Sequence, residues 1–508
     1  MHTKASVSMS LSLPLRRDLM VSFLLFQSGF AFLSIGTGLA AETTVTANDA
    51  AGNIPVRSAG ASATGQVSAS PAYPLKLSAN RDYLVDQNNR PFFIVGDDAW
   101  TLITQLSDPE ANEYLADRAA RGFNTVWVAA ADNCYQANAP CDHHGDRPFD
   151  GSDFTRFDPV YWAHVDYVIQ RAAAYGIVVM LAPGFVGLDP AGGYLASYEK
   201  SSDTVMTTYG KFLGQRYKDY PNIIWALGGD ADPASGIYGK LSSLATGIKS
   251  TDSAHLMTFE ASRYSKGQLE PHGGYSSLDV WSGSPTWLDL NWVYQTAPTV
   301  WSGAVRNRAR SPRLPPLMGE DWYELEHSMT ELQVRQEGYE AILGGAYLGR
   351  IFGNDAIWTF GSPRWEAAGG PSWQSQLGSA GSVGEAKLGA LFRSRETWQL
   401  IPDLNHRVLM AGYQSAPTLA VAARTRDGQS IIVYIPTRRV VTIDLRKISD
   451  PSAKAWWFHP QTAASTFIGN FPTTGPKDFD PPDQDDWVLV IDAASANLAA
   501  PGSKALGW

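Results

Sequence analysis

The feature that most constrains this chain is a repeated change of period between residues 92 and 360. Eight short runs are apolar on both faces: Phe92–Gly96, Asn124–Ala130, Ile177–Ala182, Asn222–Leu227, His255–Phe259, Leu278–Trp281, Leu314–Gly319 and Ala356–Phe360. Between them lie longer stretches with apolar residues every three or four positions. A strand that is apolar on both faces needs cover on both sides, which is the situation of a parallel strand flanked by helices. Asp158–Tyr175 shows the helical half of the pattern. Tyr161, Val165, Val168 and Ala172 fall on one face, and Gly176 stands where a helix is commonly closed. Ser202–Tyr217 and Met329–Gly345 read the same way. This alternation predicts an α/β chain with a (β/α)8 TIM barrel. A doubly wound sheet is the rival, disfavoured because no Gly-x-Gly-x-x-Gly follows the first strand.

A chain of 508 residues exceeds one ordinary core. After Asp403 the runs Thr418–Ala423, Ser430–Ile435, Val440–Asp444, Ala455–Phe458 and Asp486–Ile491 are joined by Gly, Asp and Pro turns with no helical period. They predict a small antiparallel β-sandwich. The expected boundaries are 74–403 for the barrel, 404–496 for the sandwich and 497–508 for a tail. At the N-terminus, Lys4, Arg16 and Arg17 precede the apolar run Leu19–Leu33, and Gly38-Leu39-Ala40 offers a small-x-small site. This reads as a signal peptide over 1–41, with an uncleaved anchor as the rival. Residues 42–73, rich in Ala, Ser, Thr and Gly, read as a flexible linker. No later run approaches ~20 apolar residues, so no membrane span is expected after cleavage. The expected location is secreted or periplasmic.

The net charge is −10, and no Lys/Arg cluster provides the basic footprint that nucleic acid requires. In an exported chain, Cys134 and Cys141 are expected to form a disulfide across a short loop, with two thiols as the alternative. No metal is expected. A lone Cys-x6-Cys pair is too sparse for zinc, and the adjacent His143 and His144 point apart with no third ligand in view. No cofactor is expected either. His-Glu-x-x-His, Gly-x-Ser-x-Gly and the phosphate-cradling Gly-x-x-x-x-Gly-Lys-Ser/Thr are all missing. The 17 Trp residues serve either as core or as flat faces for sugar C–H groups.

The active site of such a barrel forms at the C-terminal ends of its strands. The first run ends in Gly96-Asp97-Asp98-Ala99-Trp100, the fourth in Gly228-Gly229-Asp230, the fifth in Glu260 and the seventh in Gly319-Glu320-Asp321-Trp322. Carboxylates gathered on one rim repel, which pushes one towards its neutral form. Glycoside hydrolysis uses such a pair, one protonated and one ionised. Asp230 is the candidate proton donor and Glu320 the candidate nucleophile. A bland alternative stands beside each: Asp230 as a helix cap after Pro233, and Glu320 as the partner of a neighbouring Arg. Glu260 is a weaker acid candidate and Glu324 a weaker nucleophile. Asp97, Trp100, His143, His144, Glu260, Asn291, Gln295, Trp322 and Trp358 are expected to bind substrate, a poly- or oligosaccharide.

PFFIVGDDAW (91–100), RGFNTVWV (121–128), NIIWALGGDADP (222–233), WLDLNWVYQ (287–295), LMGEDWYE (317–324) and GYEAILGGAYLGRIFGNDAIWTF (338–360) together resemble the apiosidase-like glycoside hydrolases. VYIPTRR (433–439), AWWFHPQT (455–462) and DDWVLVID (485–492) resemble the module that follows that barrel, which carries an inherited label for collagen binding although no collagen chemistry is visible here. The resemblance covers about 85 to 495. It implies a retaining enzyme with catalytic carboxylates after strands 4 and 7, matched by Asp230 as acid/base and Glu320 as nucleophile. It also matches Asp97 and Trp100 to the strand-1 rim, Asn291 and Gln295 to a polar pair before strand 7, and Trp358 to the end of strand 8. Three positions depart from the family pattern and add acidity: Asp98 where Thr is expected, Asp321 where Pro is, and Glu260 where His is. The expected function is retaining hydrolysis of O-glycosidic bonds in a plant or microbial saccharide. The rivals are a non-catalytic carbohydrate-binding or adhesion protein, and a transglycosylase.

Overall fold

A computed structural model describes residues 70–508, except 152–153, 188–191, 234, 267, 270–272 and 363–369. The expected signal peptide and nearly all of the expected linker lie outside the described residues. Eight parallel strands make one sheet: β1 (Ile94–Asp98), β2 (Thr125–Ala129), β3 (Val178–Ala182), β4 (Ile223–Ala231), β5 (Met257–Ala261), β6 (Asn291–Tyr294), β7 (Pro316–Glu320) and β8 (Gly349–Phe352). β8 pairs with β1. The gap between β5 and β6 is bridged where the Asp289 N–H donates to the Met257 carbonyl (2.8 Å) and the Thr258 hydroxyl to the Leu290 carbonyl (3.0 Å). The sheet therefore wraps into the expected barrel.

The surrounding helices are α1 (Asp108–Arg121), α2 (Pro159–Ala174), α3 (Asp203–Tyr217), α4 (Tyr238–Thr251), α5 (Val300–Arg308), α6 (Glu331–Gly344) and α7 (Ala380–Arg393). α1 shows how locally these are specified. Ser107 and Glu110 form a reciprocal capping box, Tyr114, Leu115 and Arg118 face inward, and Gly122 closes the helix at φ 94°.

Two expected strands move. Leu278–Trp281 is a helical turn, because Ser276 donates through its N–H to the Asp279 carboxylate (2.8 Å) and caps it. The sixth strand is Asn291–Tyr294, whose leading polar residue breaks the apolar run. Ala356–Phe360 is a turn, and the eighth strand is Gly349–Phe352. Arg350 interrupts the apolar pattern there because it is buried among carboxylates.

The C-terminal part is the expected antiparallel β-sandwich. A six-stranded sheet faces a three-stranded one over Ile431, Val433, Ile443, Trp457, Leu489 and Ile491. The outer face of the larger sheet packs on α6 and α7, so Phe93, Leu343, Phe392, Tyr434 and Val490 share one core. Tyr339 stacks on Tyr434 at 4.5 Å, and ion pairs Arg335–Asp486 (2.9 Å) and Arg395–Asp492 (2.7 Å) flank the contact. The tail returns to the barrel: the Trp508 N–H donates to the Pro91 carbonyl (2.8 Å) and its carbonyl accepts from the Phe93 N–H (3.0 Å). Among the described residues no helix is long and apolar enough to cross a membrane.

Candidate active site

Just before its last residue, β4 has three consecutive residues in the left-handed region: Gly228 (φ 110°), Gly229 (φ 81°) and Asp230 (φ 51°). Pairing with β5 slips between Leu227 and Ala231, so the extra residues bulge out of the ladder. Both glycines are dictated by space as well. A Cβ on Gly228 would lie 2.0 Å from the Glu260 carbonyl oxygen, and one on Gly229 would press on Phe185 (2.9 Å) and Trp100 (3.0 Å). Asp tolerates the third left-handed position better than most residues. The bulge carries the Asp230 carboxyl into a cavity of about 220 Å³, where Glu320 from the end of β7 also lies.

Aromatic rings form most of the collar. Trp100 meets Trp127 (4.8 Å) and Phe185 (5.4 Å) edge-on, and Tyr135 bridges Phe185 (5.1 Å) and Trp358 (4.9 Å). Asp132 anchors the Trp100 indole N–H at 2.7 Å. Arg263 is the cation among the lining residues, its guanidinium stacked 3.8 Å over Trp322.

The carboxyls here are largely shielded from solvent and share Arg263 as the lining cation. Burial raises Asp230 above the ordinary range, opposed by Arg263 and a Ser262 hydrogen bond. Burial raises Glu260 and Glu320 well above it, and repulsion from Asp230 adds to both. Glu260 is 1% exposed; its Oε2 accepts the Asp230 N–H at 2.5 Å and its Oε1 has no partner. A buried oxygen without a donor is where a proton rests at least cost, so Glu260 is read as neutral.

Tyr323 ties two more groups together. Its hydroxyl lies 2.9 Å from Glu320 Oε1 and also contacts Asp98 Oδ2. A phenol has one proton, so it donates to one carboxyl and accepts from the other. Burial raises both carboxyls, Asp98 to about 8 and Glu320 well above the ordinary range, so one proton is shared along the Asp98–Tyr323–Glu320 chain. Glu320 also receives a hydrogen bond from Tyr294. The Tyr294 bond favours ionised Glu320, and so does the Tyr323 bond when the phenol donates to Glu320.

The expected site residues separate into two groups. Asp230, Glu320, Trp100 and Trp358 line the cavity, Trp358 from the turn after β8. The others do not. Asp97 is fully buried, paired to Arg118 (3.1 Å) and Tyr114 (2.7 Å). Asn291 and Gln295 are buried scaffold: the former accepts from Leu278 N–H (3.0 Å), the latter donates to the Gly274 carbonyl (2.8 Å). Trp322 supports Arg263, and Glu260 sits behind Asp230. His143 and His144 are exposed, and neither lines the cavity; His144 faces Asp108 and His164 instead. Glu324 accepts from Asn354 (2.9 Å) and from the Gly381 N–H (2.8 Å), so it is structural. Asp321 pairs with Arg350 through two bonds (2.6 and 2.7 Å) and adds no charge to the rim. Cys134 and Cys141 are not joined in a disulfide. Their loop is held instead by Asp132 and Asp142, whose carboxylates accept backbone N–H groups. Arg263, Tyr294 and Tyr323 escaped the sequence reading. Extending each strand end by three residues would have reached Arg263 and Tyr323.

Residues 78–399 match the family model described as "Apiosidase-like, catalytic domain". The chain belongs to the apiosidase-like family. In this apiosidase-like chain, residues 401–492 match a second model, the "Putative collagen-binding domain of a collagenase". A solved structure named "Glycoside hydrolase" is 26% identical with a TM-score of 0.72, covering 83% of this chain and 97% of that one. A glycoside hydrolase family 5 structure from Bacteroides vulgatus is 25% identical with a TM-score of 0.72, covering 85% of this chain and 95% of that one. No curated protein matches by sequence. The apiosidase-like chain thus has a glycoside hydrolase-like barrel, and its relatives by structure are glycoside hydrolases.

Proposed function

We propose that the chain is an exported retaining glycoside hydrolase that cleaves O-glycosidic bonds of a plant or microbial poly- or oligosaccharide. The observation that carries this reading is the meeting of Asp230 and Glu320 in one aromatic-walled cavity, each still partly open to solvent. A dead binding barrel has no need of two such carboxyls, both raised by burial, with repulsion from Asp230 adding to Glu320. The basic N-terminal residues and the apolar run before Ala40 support export.

Asp230 holds a proton for the leaving oxygen. Glu320, kept ionised by Tyr323 and Tyr294, attacks the anomeric carbon to form a glycosyl-enzyme. The departing alcohol leaves Asp230 as a carboxylate. That carboxylate then takes a proton from water as the water attacks, restoring both groups. The aromatic collar grips the apolar faces of a sugar ring, and Arg263 reaches its hydroxyls.

The test is a screen of aryl glycosides and cell-wall oligosaccharides with the anomeric configuration of the first product followed by proton NMR. Retention of configuration is expected. Inversion overturns the double displacement, and dominant transfer to an acceptor sugar over water marks a transglycosylase.

A further inference from the structure

A second cluster of chemistry-bearing side chains lies outside the sugar cavity, on the flank of the barrel. It joins Asp108 at the start of α1, His164 in the second turn of α2, and His144 in the loop after β2. Three positions separated by 36 and 20 residues meet here, so the sequence shows no ligand motif.

The hydrogen-bond directions decide what the cluster is for. His164 is 8% exposed, and its Nε2 lies 3.0 Å from the Ile103 carbonyl oxygen. A carbonyl only accepts, so Nε2 carries the ring proton. Nδ1 of the same ring then turns towards Asp108 Oδ1 at 3.0 Å. That oxygen is buried and accepts no hydrogen bond. His144 presents Nε2 to the same oxygen at 3.8 Å, and its ring meets that of His164 edge-on at 4.9 Å. Two imidazole nitrogens and one carboxylate oxygen therefore lie within 4.8 Å of one another. A tetrahedral zinc ion with bonds of ~2.0–2.1 Å holds neighbouring ligand atoms about 3.3 Å apart. The spacings of 3.0 and 3.8 Å bracket that value. The Ile103 carbonyl supplies the outer hydrogen bond that orients a metal-bound His.

We propose that Asp108, His144 and His164 form a binding site for a divalent cation of the zinc class, with solvent completing the coordination. Two nitrogens and one hard oxygen suit zinc better than calcium or magnesium, which take oxygen ligands. The site is a clamp rather than part of the hydrolytic chemistry. Its His144 arm belongs to the loop that carries Tyr135 to the sugar cavity, and Gln105 already holds that loop by accepting the Ala137 N–H (2.8 Å). A cation would fix the same loop to α1 and α2.

The test uses the full chain without a histidine tag, stripped with chelator and titrated with Zn²⁺ alone in a calorimeter. Co²⁺ serves as a visible-absorption probe. Binding of one equivalent is expected, with a rise in the thermal unfolding midpoint, because a ligand that binds only the folded state stabilises it. Exposed His144 is the safe position to change. His144→Ala should weaken Zn²⁺ by more than about 10-fold, since losing even an outer partner costs that much. His143→Ala should bind as wild type does. Failure of the wild type to bind Zn²⁺, or equal binding by His144→Ala, overturns the site. His164→Gln is a second check if it folds, and a midpoint that still rises with Zn²⁺ in that variant also counts against the proposal.

Discussion

Glu320 and Asp321 are neighbours in sequence and face opposite worlds. Glu320 opens into the cavity, beside Asp230 and in front of Glu260 and Asp98. Asp321 turns to the other side of the strand, where Arg350 also reaches Glu385 (3.2 Å) and Glu337 (3.9 Å). Both clusters crowd carboxyls in a dry space. The difference is how the guanidinium is placed: Arg350 pairs directly with its acids, whereas Arg263 stacks on Trp322 and acts on Asp230 through its field. Behind the strand it fixes the acids by paired bonds, and nothing is left to react. At the mouth the acids are held by phenols and backbone N–H groups, which orient a carboxyl without fixing its proton. Chemistry is possible where no counterion is locked onto the acid.

The comparison breaks most forcefully at Arg350. Arg350→Met strands three carboxyls in the interior, and a loss of ~3–5 kcal/mol is expected in denaturant unfolding. An unchanged midpoint would mean that the acids there are already neutral. Next come Asp230→Asn and Glu320→Gln, each expected to lower turnover of a confirmed substrate by roughly 10²-fold or more with folding intact. Wild-type rates in both would end the catalytic assignment. Tyr323→Phe should reduce kcat about 10-fold, the scale of one hydrogen bond to a charged group. It removes a donor from ionised Glu320, so the acid limb of the pH–rate profile should move to higher pH. A limb that moves down would mean that Tyr323 accepts from Glu320 rather than donating to it. The smallest effect is expected at Glu260→Gln, which replaces one neutral group by another and should stay close to the wild-type rate.

A pH prediction spans both regions. Glu340 and Glu385 are raised to about 7 and Asp98 to about 8, all chiefly by burial. Their unfolded counterparts ionise near ~4. The folded state therefore holds more protons between those values, and stability falls as pH rises through the folded-state pKa values. The unfolding midpoint should be higher at about pH 5 than at about pH 8.

The fold was legible because helices and parallel strands impose different periods, and six of the eight strands stood where the apolar runs placed them. The sixth and eighth were hidden by Asn291 and Arg350, buried polar residues whose partners are distant in sequence. Asp230 and Glu320, two of the cavity carboxyls, were legible from the rule that strand ends carry function. Their neighbours were harder, because a strand end shows that a residue is near the rim and not which way it points. Asp97 and Asp98 illustrate this: one is sealed by Arg118, and the other touches Tyr323. His143 and His144 read as a pair, yet it is His144 that meets Asp108 and His164, which come from two helices.

The joint between barrel and sandwich has a consequence for anyone who would recombine the two. The matched families change over near residue 400, which invites a cut there. Phe93, Leu343 and Phe392 on one side share their packing with Tyr434 and Val490 on the other, and Trp508 stitches back onto Pro91 and Phe93. A barrel trimmed at that seam would be a sticky fragment rather than a smaller enzyme, and the two halves should travel through evolution as one inheritance.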